Sequence, residues 1–332
     1  MAGIIFSENS MQNNAVFGKY QAPIRLMIEK KAEQFETQSK IKELFSVQKS
    51  NHFAEGYTSM TAMDDWLPVG ENGAHPENGM QQGRDKMLVN ETWKSSFSIS
   101  REMIDDGNSI ELRRRPAAFV AAFGRARERF AAQLYGTAIS GAAAATINGK
   151  SFDCTTADGK NLFAKDHPAL CCGTVQSNLY AGSFSADNLS LLEEKMQNFR
   201  GENGELLNVC PDTILIPNNG ALKQSVFAAI GADQDPATAN NAFNFQFGRW
   251  NVIVWNYLNE FVSGTPWVLL DSNYLQDNMA AVFQNRVEME VTSSIDRDTN
   301  ANRWDGYARF TAGFIDWRYA CLCGISSGTT LS

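Results

Sequence analysis

Residues 283–325 read FQNRVEMEVTSSIDRDTNANRWDGYARFTAGFIDWRYACLCGI, and this stretch decides the fold. Val287, Met289 and Val291 alternate with Arg286, Glu288 and Glu290, the period of a half-buried strand. A polar loop follows, with Asp296, Asp298, Asn300 and Asn302. A second alternation starts at Ala308, Phe310 and Ala312, slips by one at Gly313-Phe314, and continues through Ile315, Trp317 and Tyr319. A one-residue slip at a glycine predicts a β-bulge there. From Ala320 to Ile325 the run is wholly apolar apart from Gly324, as in a strand buried on both faces. One long hairpin therefore leaves one packing environment and ends inside another.

Asp305-Gly306, Arg309, Gly313, Asp316-Trp317-Arg318 and Gly324 give this segment its likeness to a family. It resembles the C-terminal end of tailed-bacteriophage major capsid proteins, most nearly the major head subunits of Mu-like prophages. The resemblance implies an α+β fold, the phage major capsid fold, with six parts. These are an N-terminal arm and helix (1–50), an extended β-hairpin loop (51–94) and a peripheral domain with a long spine helix (95–145). An axial α/β domain (146–281), a peripheral-domain hairpin (282–314) and a strand returning to the axial domain (315–332) complete it.

The order of the other elements agrees. Residues 1–22 are polar and Asn-rich and read as an extended arm. Pro23 stands where a first helical residue would, ahead of an apolar stripe at Ile24, Met27, Ile28 and Phe35. That helix packs either on its own domain or on a neighbour. Residues 54–92 hold five glycines, two prolines and isolated apolar side chains, too few to build a core. Such a stretch is long for a structureless loop; it reads as a two-stranded arm completed by another subunit, or as a disordered loop. Trp93 to Ser100 alternates as a strand. Pro116 lies near the expected start of the strongest helix, in which Phe119, Phe123, Ala126, Phe130 and Leu134 recur at helical spacing. Ser185 or Asp187 caps a helix closed by Gly201, and Asn218 or Asn219 caps another. Asp212–Ile216, Trp250–Trp255 and Trp267–Leu270 read as strands.

The chain has 332 residues, 43% of them hydrophobic, and a formal net charge of −8. That supports one large core or two smaller ones. An acidic chain gains little by releasing counterions from DNA, so sequence-reading DNA binding is not expected, although the chain can still face packaged DNA. The first residues lack a basic region and a long apolar core, so no signal peptide is expected. No apolar run approaches the roughly 18 residues of a membrane span. The six cysteines read as reduced and mostly buried.

No catalytic, cofactor or metal site is expected. Gly324-Ile-Ser326-Ser-Gly328 matches a nucleophile elbow in letters, but that motif needs a following helix and a later histidine. The histidines are His52, His75 and His167. His167 with Cys171-Cys172 gives poor chelate geometry, because neighbours on a strand point to opposite faces. Counting from Asp296, a calcium loop would need glycine and glutamate where Ala301 and Tyr307 stand.

The expected function is self-assembly into an icosahedral shell around the dsDNA genome of a tailed phage. A bacterial encapsulin nanocompartment is the alternative, and a soluble enzyme a remoter one. The partners implied are other copies in pentamers and hexamers, a separate scaffolding protein, a portal and decoration proteins, with packaged DNA on the inner face. Alternatively, a scaffold segment has been removed upstream. Trp66, Leu67 and Met87 are expected to anchor the arm in a neighbouring groove. Arg113, Arg114 and Arg115 would meet acidic residues of another arm (Glu71, Glu77, Asp85) or DNA phosphate, unless they, with Arg125, Arg127 and Arg129, form a solvated helix side paired with Glu111 and Glu128. Phe243 and Phe245 belong to the loop tips at capsomer centres. Crosslinking, as some relatives perform it, would use Lys86 or Lys94 with Asn300 or Asn302.

Overall fold

The computed structural model describes residues 5–8, 15–61, 63, 66–75, 77, 79, 82–106, 109–170, 173–231, 244–296, 298–299 and 301–331. Along the chain come β1 (Ile5–Glu8), α1 (Ala15–Gln38), α2 (Ile41–Leu44) and β2 (Ser46–Lys49). The hairpin β3 (Ala54–Met60) and β4 (Gln82–Val89) precedes β5 (Glu91–Ile99), α3 (Arg101–Asp105) and α4 (Ser109–Ile139). Short strands β6 (Ala144–Ile147), β7 (Lys150–Asp153), β8 (His167–Pro168), β9 (Val175–Gln176) and β10 (Tyr180–Ala181) follow. Then come α5 (Ala186–Gln197), β11 (Thr213–Pro217), α6 (Gly220–Ile230), β12 (Asn251–Trp255), β13 (Trp267–Leu270) and α7 (Ser272–Asp277). The chain closes with β14 (Ala281–Ile295), β15 (Asn302–Phe314), β16 (Ala320–Cys323) and β17 (Thr329–Thr330).

Two sheets organise these elements. The long β14–β15 hairpin is the centre of the first. β5 pairs antiparallel with β15, while β1 and β2 both run parallel to β14 along its other edge. The second sheet has the order β12-β11-β13-β16. β13 and β16 pair with each other, Trp267 opposite Cys323 and Leu270 opposite Ala320, so the hairpin is drawn out between two paired strands of the other sheet. Every residue of β11, β13 and β16 is buried, which fits sequences that are apolar throughout apart from Thr213.

α4 joins the two sheets. Its N-terminal half buries Leu112, Phe119 and Val120 with Ile99, Met289, Val291 and Trp304 of the first sheet. Its C-terminal half buries Phe130, Leu134, Tyr135 and Ile139 in a larger core that includes β11, β13 and the base of the hairpin. Aromatic rings knit this junction. Trp93 stacks on Phe310 at 4.7 Å, and Phe45 lies edge-on to Tyr135 at 5.2 Å. Such pairs contribute on the order of 1 kcal/mol each beyond their burial. The buried Tyr135 hydroxyl donates to the Leu44 carbonyl at 2.9 Å and lies 3.0 Å from that of Tyr319.

Several expectations need correcting. α1 begins at Ala15, so Pro23 lies inside the helix. α4 begins at Ser109, seven residues before Pro116. A proline removes a single backbone donor, and tertiary packing of a long helix outweighs that loss. α5 ends at Gln197, before Gly201; Ser185 caps it by accepting from the Asn188 amide, and Asn219 caps α6. The bulge expected at Gly313 is absent. The hairpin register slips twice, between Asn285 and Val287 and between Val287 and Glu290, so the extra residues lie in β14. At Gly313 the apolar phase changes because residues 310–314 are all buried, with cover on both faces. A Cβ on Gly313 would stand 2.5 Å from Leu88 Cδ2, so the glycine admits the base of the β3–β4 hairpin.

Glu128 also departs from the solvated helix side. It is buried, and its carboxylate accepts from the Ser39 hydroxyl, the Lys40 amide at 3.0 Å and the Trp255 indole at 3.1 Å. It ties the end of α1 and the second sheet to α4. Arg129 pairs instead with Glu260 at 2.7 Å. The side chain of Glu111 lies outside the described residues.

Candidate assembly surface

The β3–β4 hairpin leads into an arm whose described tip residues, 66–75, are all exposed. Trp66 is 96% exposed and Leu67 63%. Val69 and Met63 are exposed as well. A large apolar side chain left in water forgoes roughly 1.5–3 kcal/mol of burial, so a run of them at an arm tip marks a contact surface. The strand period divides β4 into two faces. Arg84, Lys86 and Leu88 face the subunit's own body, and Lys86 and Leu88 are buried. Asp85, Met87 and Val89 face outward, Met87 at 69% exposure.

Beside α4 runs a groove able to receive apolar side chains. One section, about 270 Å³, is lined by Phe119, Ala122, Phe123, Met289 and Tyr307. A second, about 530 Å³, continues it past Trp93, Ala126, Gln133 and Ile147. Ala122 and Ala126 keep its floor open.

The other expected contact residues are placed as follows. Arg114 is exposed. Arg115 donates to the Ser98 carbonyl at 2.7 Å, which holds α4 to β5. The Arg113 side chain lies outside the described residues. Among the acidic arm residues, Glu71, Glu77 and Asp85 are exposed. Phe245 is 55% exposed, and Phe247 and Phe227 are exposed near it in sequence and on α6; Phe243 lies outside the described residues. The crosslinking pairs fare differently. Lys86 and Asn302 are buried within the subunit, Lys94 is exposed, and Asn300 lies outside the described residues.

A buried polar cluster around His167, which sequence reasoning missed, is structural. His167 is fully buried. Its Nδ1 lies 2.6 Å from Asp158 Oδ2 and its Nε2 3.2 Å from Asn178 Oδ1. The ring stacks on Trp317 at 4.3 Å, and the Arg318 guanidinium covers Trp317 at 4.9 Å. Asn178 Nδ2 donates to the carbonyls of Leu162 and Ala320, which pins the turn before β16. Burial raises the Asp158 carboxyl, but bonds from His167 and Thr156 outweigh it and hold it below the ordinary carboxylate range. Arg318 bonds Asp316 at 3.1 Å and Glu202 at 3.0 Å. Burial opposes its charge, yet these acids raise its pKa above the ordinary arginine value. The Asp316-Trp317-Arg318 signature is thus a buried brace.

Cys171 and Cys172 lie outside the described residues. No cluster of three or more metal-ligating side chains occurs among the described residues. After Ser326 comes β17, paired parallel with β10, so the strand–turn–helix of a nucleophile elbow is missing there. No helix among the described residues is long and apolar enough to cross a membrane.

The family profile described as "Phage capsid protein" matches residues 88–322. The chain belongs to this family: it has the phage major capsid fold and is a structural shell protein of the virion rather than an enzyme. A structure from Mycobacterium phage Patience superposes with a TM-score of 0.51 at 12% identity, covering 100% of this chain and 95% of that one. The capsid of the native GTA particle gives 0.50 at 12% identity, covering 87% and 90%. The capsid of Ralstonia phage GP4 gives 0.50 at 10% identity, covering 83% and 86%. At such identities the likeness is one of fold. Curated protein sequences give no match. The family match does not favour the encapsulin alternative.

Proposed function

We propose that this capsid protein closes its shell by laying the arm of residues 54–92 across an adjacent subunit. Trp66, Leu67 and Met87 enter the groove beside that subunit's α4. The observation that carries this reading is the division of β4 into a face buried at home and a face left open, continued by the exposed Trp66. Copies gather as pentamers and hexamers around the loop that holds Phe243 and Phe245. Arg113, Arg114 and Arg115 meet Glu71, Glu77 and Asp85 of a neighbouring arm, fixing register more than affinity. Interfaces that depend on arm exchange bury on the order of 2,000–5,000 Å².

The six-part domain division given above, the Mu-like affinity of the head and the dsDNA content belong to the same proposal. So do assembly in the host cytoplasm, a separate scaffolding protein, a portal and decoration proteins. The test is light-scattering mass and negative-stain imaging of the full chain against a variant lacking residues 66–75, each alone and with co-expressed neighbouring genes. The reading expects closed particles only with the arm tip present. Normal closed particles from the shortened chain would overturn it.

A further inference from the structure

The base of the arm is held by groups that the sequence offered for other work. Lys86 is 8% exposed. Its ammonium sits 3.1 Å from Asp153 Oδ2 and donates to the Thr155 carbonyl. Asp153 Oδ1 in turn accepts from the Thr155 amide at 2.9 Å and hydroxyl at 2.8 Å, so the receiving turn is rigid. Two residues earlier, Arg84 donates to the Pro168 carbonyl at 3.0 Å. Two residues later, Leu88 packs with Val282 and Ile315. On the partner strand, the Tyr57 hydroxyl bonds Gln284 Oε1 at 3.1 Å. One face of the stem is thereby fastened to four separate segments of its own subunit.

Burying an ammonium costs several kcal/mol unless it is paired and hydrogen-bonded, and such pairs add little net stability. Their value lies in direction, because a charge finds its partner in one register alone. An apolar contact such as Leu88 against Val282 tolerates sliding; a lysine aimed at a carboxylate and a carbonyl does not.

We infer that Lys86 is a positioning residue: its pairing with Asp153 and the Thr155 carbonyl latches the stem of the arm to the subunit's own 153–155 turn and sets the direction in which the arm leaves. The consequence for the shell rests on the arm reading above. With the latch closed, the outward face of β4 presents Asp85 and Met87 at one angle to the neighbour. With it open, the stem pivots about Asn90, whose side chain donates to the Ser50 hydroxyl and the His52 carbonyl, each at 2.9 Å.

The test is amide hydrogen exchange on the full-length chain in solution, followed by particle imaging. Lys86→Met keeps the bulk and removes the charge. Asp153 is half exposed and rehydrates. The latch predicts exchange about tenfold faster or more at Tyr57 and Leu88, with β11 and β13 unchanged, and particles of mixed diameter. The Lys86→Met, Asp153→Asn double variant keeps the Asn oxygen as acceptor for Thr155 and exchanges no faster than Lys86→Met alone, because both changes break one pairing. Wild-type exchange at Tyr57 and Leu88 in Lys86→Met would overturn the latch, as would additive acceleration in the double variant. The variant lacking residues 66–75 keeps the arm reading separate. If it closes shells while Lys86→Met loosens the stem, the arm reading falls and the latch stands. If it cannot close shells while Lys86→Met exchanges normally, the latch falls and the arm reading stands.

Discussion

Gly306 of β15 lies against the ring of Phe119 on α4: a Cβ at position 306 would stand 2.4 Å from Phe119 Cζ. Helix and sheet approach this closely because residue 306 has no side chain, and Phe119 fills the space while packing on Phe97 at 5.0 Å. Gly306→Ala is expected to cost about 1–3 kcal/mol by overpacking, seen as a lower urea midpoint with an unchanged slope. Adding Phe119→Leu should recover part of that loss, since contacting sites couple. A full, additive loss in the double variant would show that the clash is not the cause.

Trp66 is so exposed that the isolated subunit gains nothing from it. Trp66→Ala should leave the melting temperature of the unassembled chain within about 1 °C, because exposed sites typically shift stability by less than 0.5 kcal/mol. The same change should raise the concentration needed for shell formation about tenfold or more, as loss of an interface aromatic does. Equal assembly by both chains in a light-scattering titration would remove Trp66 from the contact.

His167 bonds a buried carboxylate. His167→Ala leaves Asp158 bonded to the Thr156 hydroxyl and the Lys160 amide but removes the imidazole bond from a buried carboxylate, at a cost of about 1–3 kcal/mol. The turn at Trp317 should loosen with it, so a red shift and rise in solvent quenching of tryptophan fluorescence are expected. An unchanged denaturation curve would contradict the brace.

Asp153 and Asp158 give stability a defined acid limb. Burial raises both carboxyls, but hydrogen bonds and the Lys86 and His167 partners bring both below the ordinary value. A carboxylate depressed on folding contributes stability that is complete above its unfolded value, about 3.9, and lost as pH falls through the folded value. The subunit should therefore hold its stability down to about pH 5 and lose it below about pH 4. Asp158→Asn should flatten that limb. An acid limb of the same slope in the variant would place the effect elsewhere.

Glu128 accepts three donors from two other parts of the chain. Glu128→Ala should cost about 2–4 kcal/mol, because the Trp255 indole and the Lys40 amide lose their acceptor in a buried place. Calorimetry reads the shift, and a loss below about 0.5 kcal/mol would mean that water replaces the carboxylate.

The hairpin and the spine helix were legible because both are local patterns: alternation from Val287 to Val291, and helical spacing from Phe119 to Leu134. Residues 320–323 were legible for the same reason. What was hidden depends on partners far along the chain. Lys86 reads as an exposed lysine on a glycine-rich arm until Asp153 is brought beneath it, and Glu128 reads as the outer side of a basic helix until Ser39 and Trp255 arrive. Gly313 was noticed but misassigned: a missing Cβ suits a bulge and a close approach equally, and only the position of Leu88 decides between them. The prolines misled in one direction, since a local rule about helix starts yields when a long helix has a sheet on one side.

Because β13 and β16 pair directly across the base of the β14–β15 hairpin, the hairpin is tethered to the second sheet by two covalent strands rather than by one hinge. A single peptide connection lets a lobe swivel; a pair clamped side by side by backbone hydrogen bonds resists twisting and yields mainly by bending. Force applied at the tip of the hairpin therefore reaches β13 and β16 as leverage on a fully buried sheet. A protease cut in the polar turn at 296–301 would leave both halves anchored, and the nicked chain should migrate as one folded species until it is denatured.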